Sequence, residues 1–303
     1  MLYKSTLDMI GNTPLYETQH MIQNEKVKLY IKLEGINPTG SHKDRPAYGM
    51  IKAAIDKGIL TPEKRLIEAS SGNMASAMAM VASQFGIPVT MVLANTTSAE
   101  KKVALQMMGA ELILIDGNTI QCSEHARKLA EEDATYVFLD QFRDPNSPKA
   151  HHDTTGEEIL RDLPDVDVFV ASLGSGSSVI GIGTRLKEHN PDVKVYSVTA
   201  ETGTRLPGLR NLEEEKWIPP YVGDMVGDLN FFEDVIHINF EQARQRVFEI
   251  AKKEGLFLGF QTGAVVHAAL KVAENMEVGK IVVMSGDAGW KNLNWLVQRP
   301  EIG

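Results

Sequence analysis

The clearest indication of the fold class comes from residues 166–198, VDVFVASLGSGSSVIGIGTRLKEHNPDVKVYSV. The apolar run VDVFVASL is followed by a loop of glycines and serines, then by a helical stretch, and then by a second apolar run, VKVYSV. Runs that are largely apolar on both faces are typical of parallel strands buried between layers of helices. The stretch therefore predicts a strand–helix–strand unit of an α/β protein.

The same alternation of strand and helix continues along the chain. Further strands are predicted at 28–33, 65–69, 89–93, 112–115, 136–139, 235–238 and 281–284. Helices are predicted at 43–57, 73–85, 99–108, 123–131, 157–162, 179–188, 240–254 and 263–273. This order favours an α/β fold with parallel sheets covered by helices. The polar stretch 140–148, with two prolines, is interpreted as the crossover between two α/β domains.

Composition agrees with a globular protein of about two domains. The chain has 303 residues, of which 43% are hydrophobic and 23% charged, which excludes disorder, collagen and a disulfide scaffold. The net charge of −9 gives no long-range attraction to nucleic acid or to anionic membranes. We expect the protein to lie in the cytoplasm, because the sequence has a single cysteine, Cys122, and shows neither a signal-peptide core nor an apolar run of membrane-spanning length.

Residues 37–45, NPTGSHKDR, place Lys43 in the first turn of a predicted helix. The helix dipole disfavours a cation there, so we expect a lowered pKa and an amine that can act as a nucleophile. The segment also fits a solvated helix start in which Lys43 is a surface cation.

Two loops that follow predicted strands are candidate anion sites. SSGN at 70–73 opens a helix with small polar residues, which suits either an anion or an ordinary helix cap. GSGSS at 174–178 suits a phosphate or a tight structural turn. With Glu201 after the next strand it also fits a nicotinamide dinucleotide, although its spacing, G-x-G-x-x-x-x-G, departs from G-x-G-x-x-G. The neighbours 151–153, HHD, make a poor metal site, and no metal is expected.

Seven short motifs occur in order. They are IGNTPL (10–15), NPTGSHKDR (37–45), SSGN (70–73), MGAELIL (108–114), QFRDPNSPKAHHDTTGEEI (141–159), GSGSS (174–178) and DAGWK (287–291). In this order and spacing they resemble the cysteine synthase (O-acetylserine sulfhydrylase) family of pyridoxal-phosphate (PLP) enzymes. The stretch LPGLRN (206–211) resembles the B-type members more closely than the A-type.

The resemblance implies PLP fold type II, an α/β fold with two open, twisted, mostly parallel sheets, helices on both faces and PLP in the interdomain cleft. By family analogy, residues 40–145 form a smaller, mobile N-terminal domain. Residues 1–39 and 146–303 then form the larger domain, which binds the PLP phosphate. The family's usual assembly leads us to expect a homodimer.

The resemblance also implies roles for individual residues. Lys43 would form the Schiff base with PLP and later move the α-proton. Asn73 would hydrogen-bond the ring hydroxyl of PLP. The PLP phosphate would be held by Gly174, Ser175, Gly176, Ser177 and Ser178. The substrate carboxylate would be held by Ser70, Ser71, Gly72 and Gln141.

Several positions depart from the family pattern. Met74 replaces a threonine of the substrate loop, which removes one donor to the substrate carboxylate. Ser177 replaces a glycine, which requires a negative φ at that position. Gln261, in GFQTG, replaces the serine that partners the pyridine nitrogen, and Thr262 is the neighbouring candidate. Both are neutral, so we expect an unprotonated nitrogen and elimination at Cβ rather than transamination.

Two charged residues are further candidates. Asp224 would act as a general base for water or a thiol, or it lies in a solvated loop. Arg210 would meet an anionic leaving group or co-substrate, or it forms a surface salt bridge.

The predicted function is PLP-dependent β-replacement on a serine-like amino acid through an α-aminoacrylate, with O-acetylserine and sulfide giving cysteine. The alternative is a cysteine desulfhydrase or lanthionine-forming enzyme that releases hydrogen sulfide from cysteine. More remote alternatives are a nicotinamide-dependent dehydrogenase and a non-catalytic binding protein of the same fold. The expected partners are a small amino acid and a sulfur nucleophile, with no nucleic acid and no membrane.

Overall fold

The computed structural model describes residues 2–211 and 231–297. The chain divides into a smaller compact unit, residues 1–10 and 37–150, and a larger one, residues 11–36 and 151–303. The smaller unit differs from the predicted domain 40–145 chiefly in containing residues 1–10, because Leu7 and Ile10 pack against its hydrophobic core. The mobility of the predicted domain stays a prediction. Asp224 lies outside the described residues.

The smaller unit contains a parallel sheet with strand order β5-β4-β3-β6. Its strands are β3 (Arg65–Ala69), β4 (Val89–Ala94), β5 (Glu111–Ile115) and β6 (Tyr136–Phe138). Its helices are α1 (Asp44–Asp56), α2 (Asn73–Gln84), α3 (Ala99–Met107), α4 (Thr119–Glu132) and α5 (Asn146–Ala150), with a 3-10 turn at Thr6–Met9. The helices α1 and α2 supply much of its apolar core.

The larger unit contains a sheet with strand order β1-β2-β10-β7-β8-β9. Its strands are β1 (Leu15–Glu17), β2 (Val27–Leu33), β7 (Val168–Ser172), β8 (Lys194–Ala200), β9 (Asp234–Ile238) and β10 (Gly279–Ser285). Its helices are α6 (Glu157–Asp162), α7 (Ser177–His189), α8 (Phe240–Glu254), α9 (Phe260–Ala273) and α10 (Leu293–Val297). A π-helical turn, His151–Gly156, and 3-10 turns at Glu34–Ile36 and Gly289–Asn292 complete the elements of the described part. The pairing is parallel except between β1 and β2.

The predicted α/β class with mostly parallel sheets is confirmed. The predicted strands and helices are all found, although their ends differ by up to four residues, as at Thr119 for the start of α4. Strand β1 was not predicted, since three residues are too few to show a period. The residues of β7 are all buried, as expected for a strand covered on both faces. None of the described helices is long and apolar enough to cross a membrane.

Candidate active site

The strand order of the smaller unit reverses at β3. The chain continues from β3 to β4 and β5 on one side, and then returns to place β6 on the other side. In open parallel sheets, ligands bind beyond the carboxyl ends of the strands at such a reversal. The predicted residues 70–73 follow β3, and Gln141 comes shortly after β6. The structure therefore places these two segments next to each other at the reversal.

Lys43 is the N-cap residue of α1. The turn before it is held by Asp44, whose carboxylate accepts from the Thr39 backbone N–H at 2.8 Å and from the Thr39 hydroxyl. The Ser41 hydroxyl accepts from the Lys43 backbone N–H at 3.3 Å. Burial lowers the pKa of the Lys43 ammonium to about 8. The sequence predicts a lowered pKa through the helix dipole, whereas removal of the amine from water is its cause in the structure.

The loop 70–73 leads directly into α2, whose N-cap residue is Gly72 and whose first residue is Asn73. Gly72 has no side chain to cap the helix, so the first N–H groups of α2 are not satisfied by the N-cap residue. The loop makes an internal bond from the Gly72 N–H to the Ser70 hydroxyl at 3.4 Å. Backbone N–H groups at a helix start suit a carboxylate or phosphate oxygen.

The Met74 side chain lies in the core of the smaller unit and is 2% exposed. Methionine fills irregular apolar space well, and Met78 and Met80 lie in the same core. Any contact of Met74 with a substrate would therefore come from its backbone N–H.

Gln141 is tied to β3 by both its backbone and its side chain. Its backbone N–H donates to the Glu68 carboxyl group at 3.2 Å, and its Nε2 donates to the Ala69 carbonyl at 3.2 Å. Glu68 also accepts from the Ala69 N–H at 2.8 Å. Burial, opposed by these bonds and reinforced by Asp140 and Asp144, raises the pKa of Glu68 to about 8. Glu68 was not predicted as a site residue, although a glutamate inside the buried run RLIEA was the available signal.

The larger unit has its own reversal at β7, which lies between β8 and β10. The predicted phosphate loop 174–178 follows β7 and runs into α7. Gly176 has φ +89°, a conformation that favours glycine, and Ser177 begins the helix with a negative φ. The condition set for a serine at position 177 is therefore met.

The Ser177 hydroxyl is buried and has no hydrogen-bond partner in the described part of the structure. A buried hydroxyl without a partner costs free energy, unless a ligand supplies the missing oxygen. Nearby, the Ser175 hydroxyl accepts from the Ser177 N–H at 3.5 Å. The Ser177 hydroxyl and the start of α7 together suit the oxygens of a phosphate group.

The loop that contains Arg210 lies beside the phosphate loop. The Arg210 N–H donates to the Leu173 carbonyl at 3.1 Å, and the Arg210 carbonyl accepts from Ala200 at 2.8 Å. A Cβ on Gly174 would lie 3.0 Å from the Gly208 carbonyl oxygen, so the two loops approach each other closely at these two glycines.

Gln261 and Thr262 begin α9 beside the ends of β7 and β10. A Cβ on either Gly208 or Gly286 would overlap the Gln261 carboxamide, so that side chain occupies a notch between two glycines. Its Oε1 accepts from the Ser172 hydroxyl at 3.5 Å. The Thr262 hydroxyl is fully buried and pairs with the Ser285 hydroxyl at 2.9 Å.

Comparison with known proteins places the chain in a family. Residues 6–287 match the family described as pyridoxal-phosphate dependent enzyme. Cysteine synthase B of Pseudomonas aeruginosa is 33% identical over 98% of both chains. The crystal structure of an O-ureido-L-serine synthase is 30% identical, covers 100% of this chain and 98% of its own, and superposes with a TM-score of 0.91. A hydrogen sulfide-producing enzyme from Fusobacterium nucleatum is 34% identical, over 96% of this chain and 99% of its own, with a TM-score of 0.87.

The chain belongs to the family of pyridoxal-phosphate-dependent enzymes and, within it, to the cysteine synthases. PLP, rather than a nicotinamide dinucleotide, is its cofactor. The residues present suit PLP, because Lys43 supplies an amine with a lowered pKa and Ser177 a buried hydroxyl that lacks a partner. No group of three or more metal-ligating side chains occurs within residues 2–211 and 231–297.

Proposed function

We propose that the chain catalyses β-replacement on a serine-like amino acid, and that O-acetylserine and sulfide are converted to cysteine. The observation that carries the proposal is the Lys43 amine, held at the start of α1 with a pKa of about 8. At pH 7 roughly one-tenth of such amines are neutral, against roughly one in three thousand for an ordinary lysine. The full-length likeness to cysteine synthase B supports the choice of substrates.

Lys43 carries the cofactor and then moves the proton at the substrate's Cα. PLP, when bound, supplies an electron sink that makes this proton acidic and lets the group at Cβ leave. A neutral amine with a pKa near ambient pH both takes up and returns a proton readily, which suits a group that must act twice. In the same proposal Asp224 and Arg210 keep their predicted roles, as a base for the incoming nucleophile and as a partner for an anionic group.

Other residues orient the cofactor and the substrate. We assign the PLP phosphate to Gly174, Ser175, Gly176, Ser177 and Ser178, and the ring hydroxyl to Asn73. The pyridine nitrogen is assigned to Gln261 rather than to Thr262, because the carboxamide has an Nε2 donor separate from the Oε1 that accepts from Ser172, whereas Thr262 has a single hydroxyl, which pairs with Ser285. The substrate carboxylate is assigned to Ser70, Ser71, Gly72, Gln141 and the backbone of Met74. Because the assigned pyridine partner is neutral, the chemistry favours loss of a β-substituent over transamination.

The test measures both directions of sulfur chemistry on the purified holoenzyme. One assay follows cysteine formation from O-acetylserine and sulfide, and the other follows sulfide release from cysteine alone. Faster cysteine formation supports the proposal. Faster sulfide release replaces it with the desulfhydrase alternative, which the likeness to the Fusobacterium enzyme favours. Absence of both reactions overturns both.

The compartment and the assembly are part of the same proposal. We assign the protein to the cytoplasm, since its single cysteine, Cys122, is a buried free thiol. We assign it a homodimer, which light scattering of the purified protein tests directly.

A further inference from the structure

The two segments assigned to the substrate carboxylate are joined by a buried acid. Glu68 is the penultimate residue of β3 and is 0% exposed. One oxygen accepts from the Ala69 N–H at 2.8 Å, where the loop 70–73 begins. The other accepts from the Gln141 N–H at 3.2 Å, on the segment that follows β6. A single side chain thus bridges the two strand ends at which the sheet order reverses.

The bridge is reinforced by a direct bond between the two segments. The Gln141 side chain donates from Nε2 to the Ala69 carbonyl at 3.2 Å. Two hydrogen bonds therefore join the two segments, and a third, from the Ala69 N–H, holds the Glu68 side chain on β3. Since both N–H groups are donors, the bridging side chain must offer two acceptors, which a carboxylate does, whereas a carboxamide or a neutral acid offers one good acceptor.

We propose that Glu68 is a positioning residue for substrate binding, which holds the loop 70–73 and Gln141 together as one receptor for the substrate carboxylate, and that it does so best as a carboxylate. The inference rests on the proposed function. Each Glu68 oxygen accepts one N–H, so the ionised side chain makes both bonds. Protonation turns one of these oxygens into a hydroxyl, which is a poor acceptor and weakens the bridge.

The charged residues around Glu68 set the pH at which it ionises. Asp140 and Asp144 face it from the segment after β6, and both raise its pKa, which burial brings to about 8. Arg127 from α4 binds Asp140 at 2.7 Å, and Arg143 binds the same carboxylate at 3.0 Å, so these cations limit that repulsion. Lys57, after α1, acts on Asp144. Glu68 therefore changes from neutral to ionised within the pH range in which an enzyme can be assayed.

The first experiment compares Glu68→Gln with the wild-type holoenzyme between pH 6 and pH 9.5. We expect the wild-type KM for O-acetylserine to fall as the pH rises through about 8, because the carboxylate accepts both N–H groups. In Glu68→Gln we expect KM to be about tenfold higher than in the wild type at pH 9 and to lack that fall, with a smaller change in kcat, because one N–H loses its acceptor. The matched control is Glu63→Gln, an exposed acid on the turn before β3, which should follow the wild-type profile. A Glu68→Gln profile that keeps the wild-type fall overturns the inference.

A second variant keeps the test decisive if Glu68→Gln does not fold. Asp140 has φ +55°, which asparagine also adopts readily, so Asp140→Asn preserves the backbone. It removes a charge that raises the pKa of Glu68, so the fall in KM should move to lower pH. An unmoved fall overturns the inference.

Hydrogen exchange of the apoprotein tests the bridge without any reaction. At pH 9, where the wild-type Glu68 is ionised, the amide of Gln141 or of Ala69 should exchange at least about tenfold faster in Glu68→Gln than in the wild type, while amides of the larger unit show no difference between the two proteins. Unchanged exchange at both amides overturns the inference. If the wild type does not act on O-acetylserine, the proposed function fails, whereas the exchange result still decides whether the bridge exists.

Discussion

The two units share one kind of sheet arrangement but differ in the chemistry of their candidate site residues. Each has a parallel sheet whose strand order reverses, at β3 in the smaller unit and at β7 in the larger one, and each places its candidate residues on the loops beyond that reversal. In the smaller unit these loops adjoin the buried Glu68, and the half-buried Lys43 is the N-cap residue of α1. Both groups have a pKa of about 8.

In the larger unit the corresponding loops carry neutral groups, the hydroxyl of Ser177 and the carboxamide of Gln261. Its buried lysine, Lys32, is instead paired with Glu158 at 2.7 Å. Under the proposed function, Lys43 of the smaller unit moves the Cα proton, while Ser177 and Gln261 of the larger unit hold the cofactor without titrating.

The largest expected effect is that of Lys43→Ala. It removes both the amine that carries the cofactor and the base, so we expect β-replacement to fall by at least about a thousandfold. Borohydride treatment should attach PLP permanently to the wild type and leave the variant unlabelled. Retention of both labelling and turnover would remove Lys43 from the site and with it the contrast between the units. The matched control is Lys52→Ala, an exposed lysine on the same helix, which should keep full activity.

A change of comparable size, but in stability rather than activity, is expected for Lys32→Met. The Lys32 side chain is 0% exposed, and its Nζ also donates to the Thr13 carbonyl at 2.5 Å. Removal of one member of a buried ion pair should lower the free energy of unfolding by about 3–5 kcal/mol. Urea denaturation measures it. Lys52→Met breaks the exposed pair with Asp56 and should change stability by less than about 0.5 kcal/mol. Equal losses in the two variants would contradict the role of paired charge in the larger unit.

Lys43 and Lys32 show which features could be predicted from the sequence and which could not. The strand–loop–helix pattern located the loops 70–73 and 174–178, because each follows a strand end that hydrophobic patterning shows. Lys43 was located by the helix start that follows the turn NPTG. The pairing of Lys32 with Glu158 joins residues far apart in sequence, and no local period reports it. The bond of Glu68 to Gln141 depends on β6 lying beside β3, which strand order alone determines.

Predictions from the sequence were also wrong about causes that depend on packing. The pKa of Lys43 was expected to fall through the helix dipole, whereas burial accounts for it. The notch around Gln261 is built by Gly208 and Gly286, from two separate loops. Such contacts require the folded chain, because they depend on which loops the sheet brings together.

The attachment of PLP to the apoprotein should depend on pH in the way that Lys43 dictates. The reactive form is the neutral amine, whose fraction rises with pH and levels off above the pKa of about 8. The attachment rate should therefore fall about fiftyfold from pH 8 to pH 6. Stopped-flow absorbance measures it. A rate that keeps rising tenfold per pH unit up to pH 10 would indicate an ordinary, solvated lysine.

Ser177→Ala tests the proposal that neutral groups of the larger unit hold the cofactor. It removes one hydroxyl donor to the cofactor phosphate, so PLP should bind about ten times more weakly. The apoprotein should lose no stability, because the hydroxyl is buried without a partner. Ser147→Ala is a matched control, since Ser147 in the smaller unit also has a buried hydroxyl that makes no bond. It should leave PLP affinity unchanged, and equal effects of the two variants would show that Ser177 does not contact the phosphate.

The smallest expected effect is that of Gln261→Ser, and it separates the two candidates for the pyridine nitrogen. Serine is too short to fill the notch between Gly208 and Gly286, so the donor would withdraw from the ring. We expect a shift in the visible absorption of bound PLP and a change of less than about tenfold in kcat, because one neutral contact is lost while the phosphate and Lys43 contacts remain. The matched variant Thr262→Val removes the hydroxyl that pairs with Ser285 and should leave the spectrum unchanged. A spectrum that responds to Thr262→Val and not to Gln261→Ser would assign the nitrogen to Thr262. The partner would be neutral in either case, so the larger unit would still hold the cofactor with groups that do not titrate.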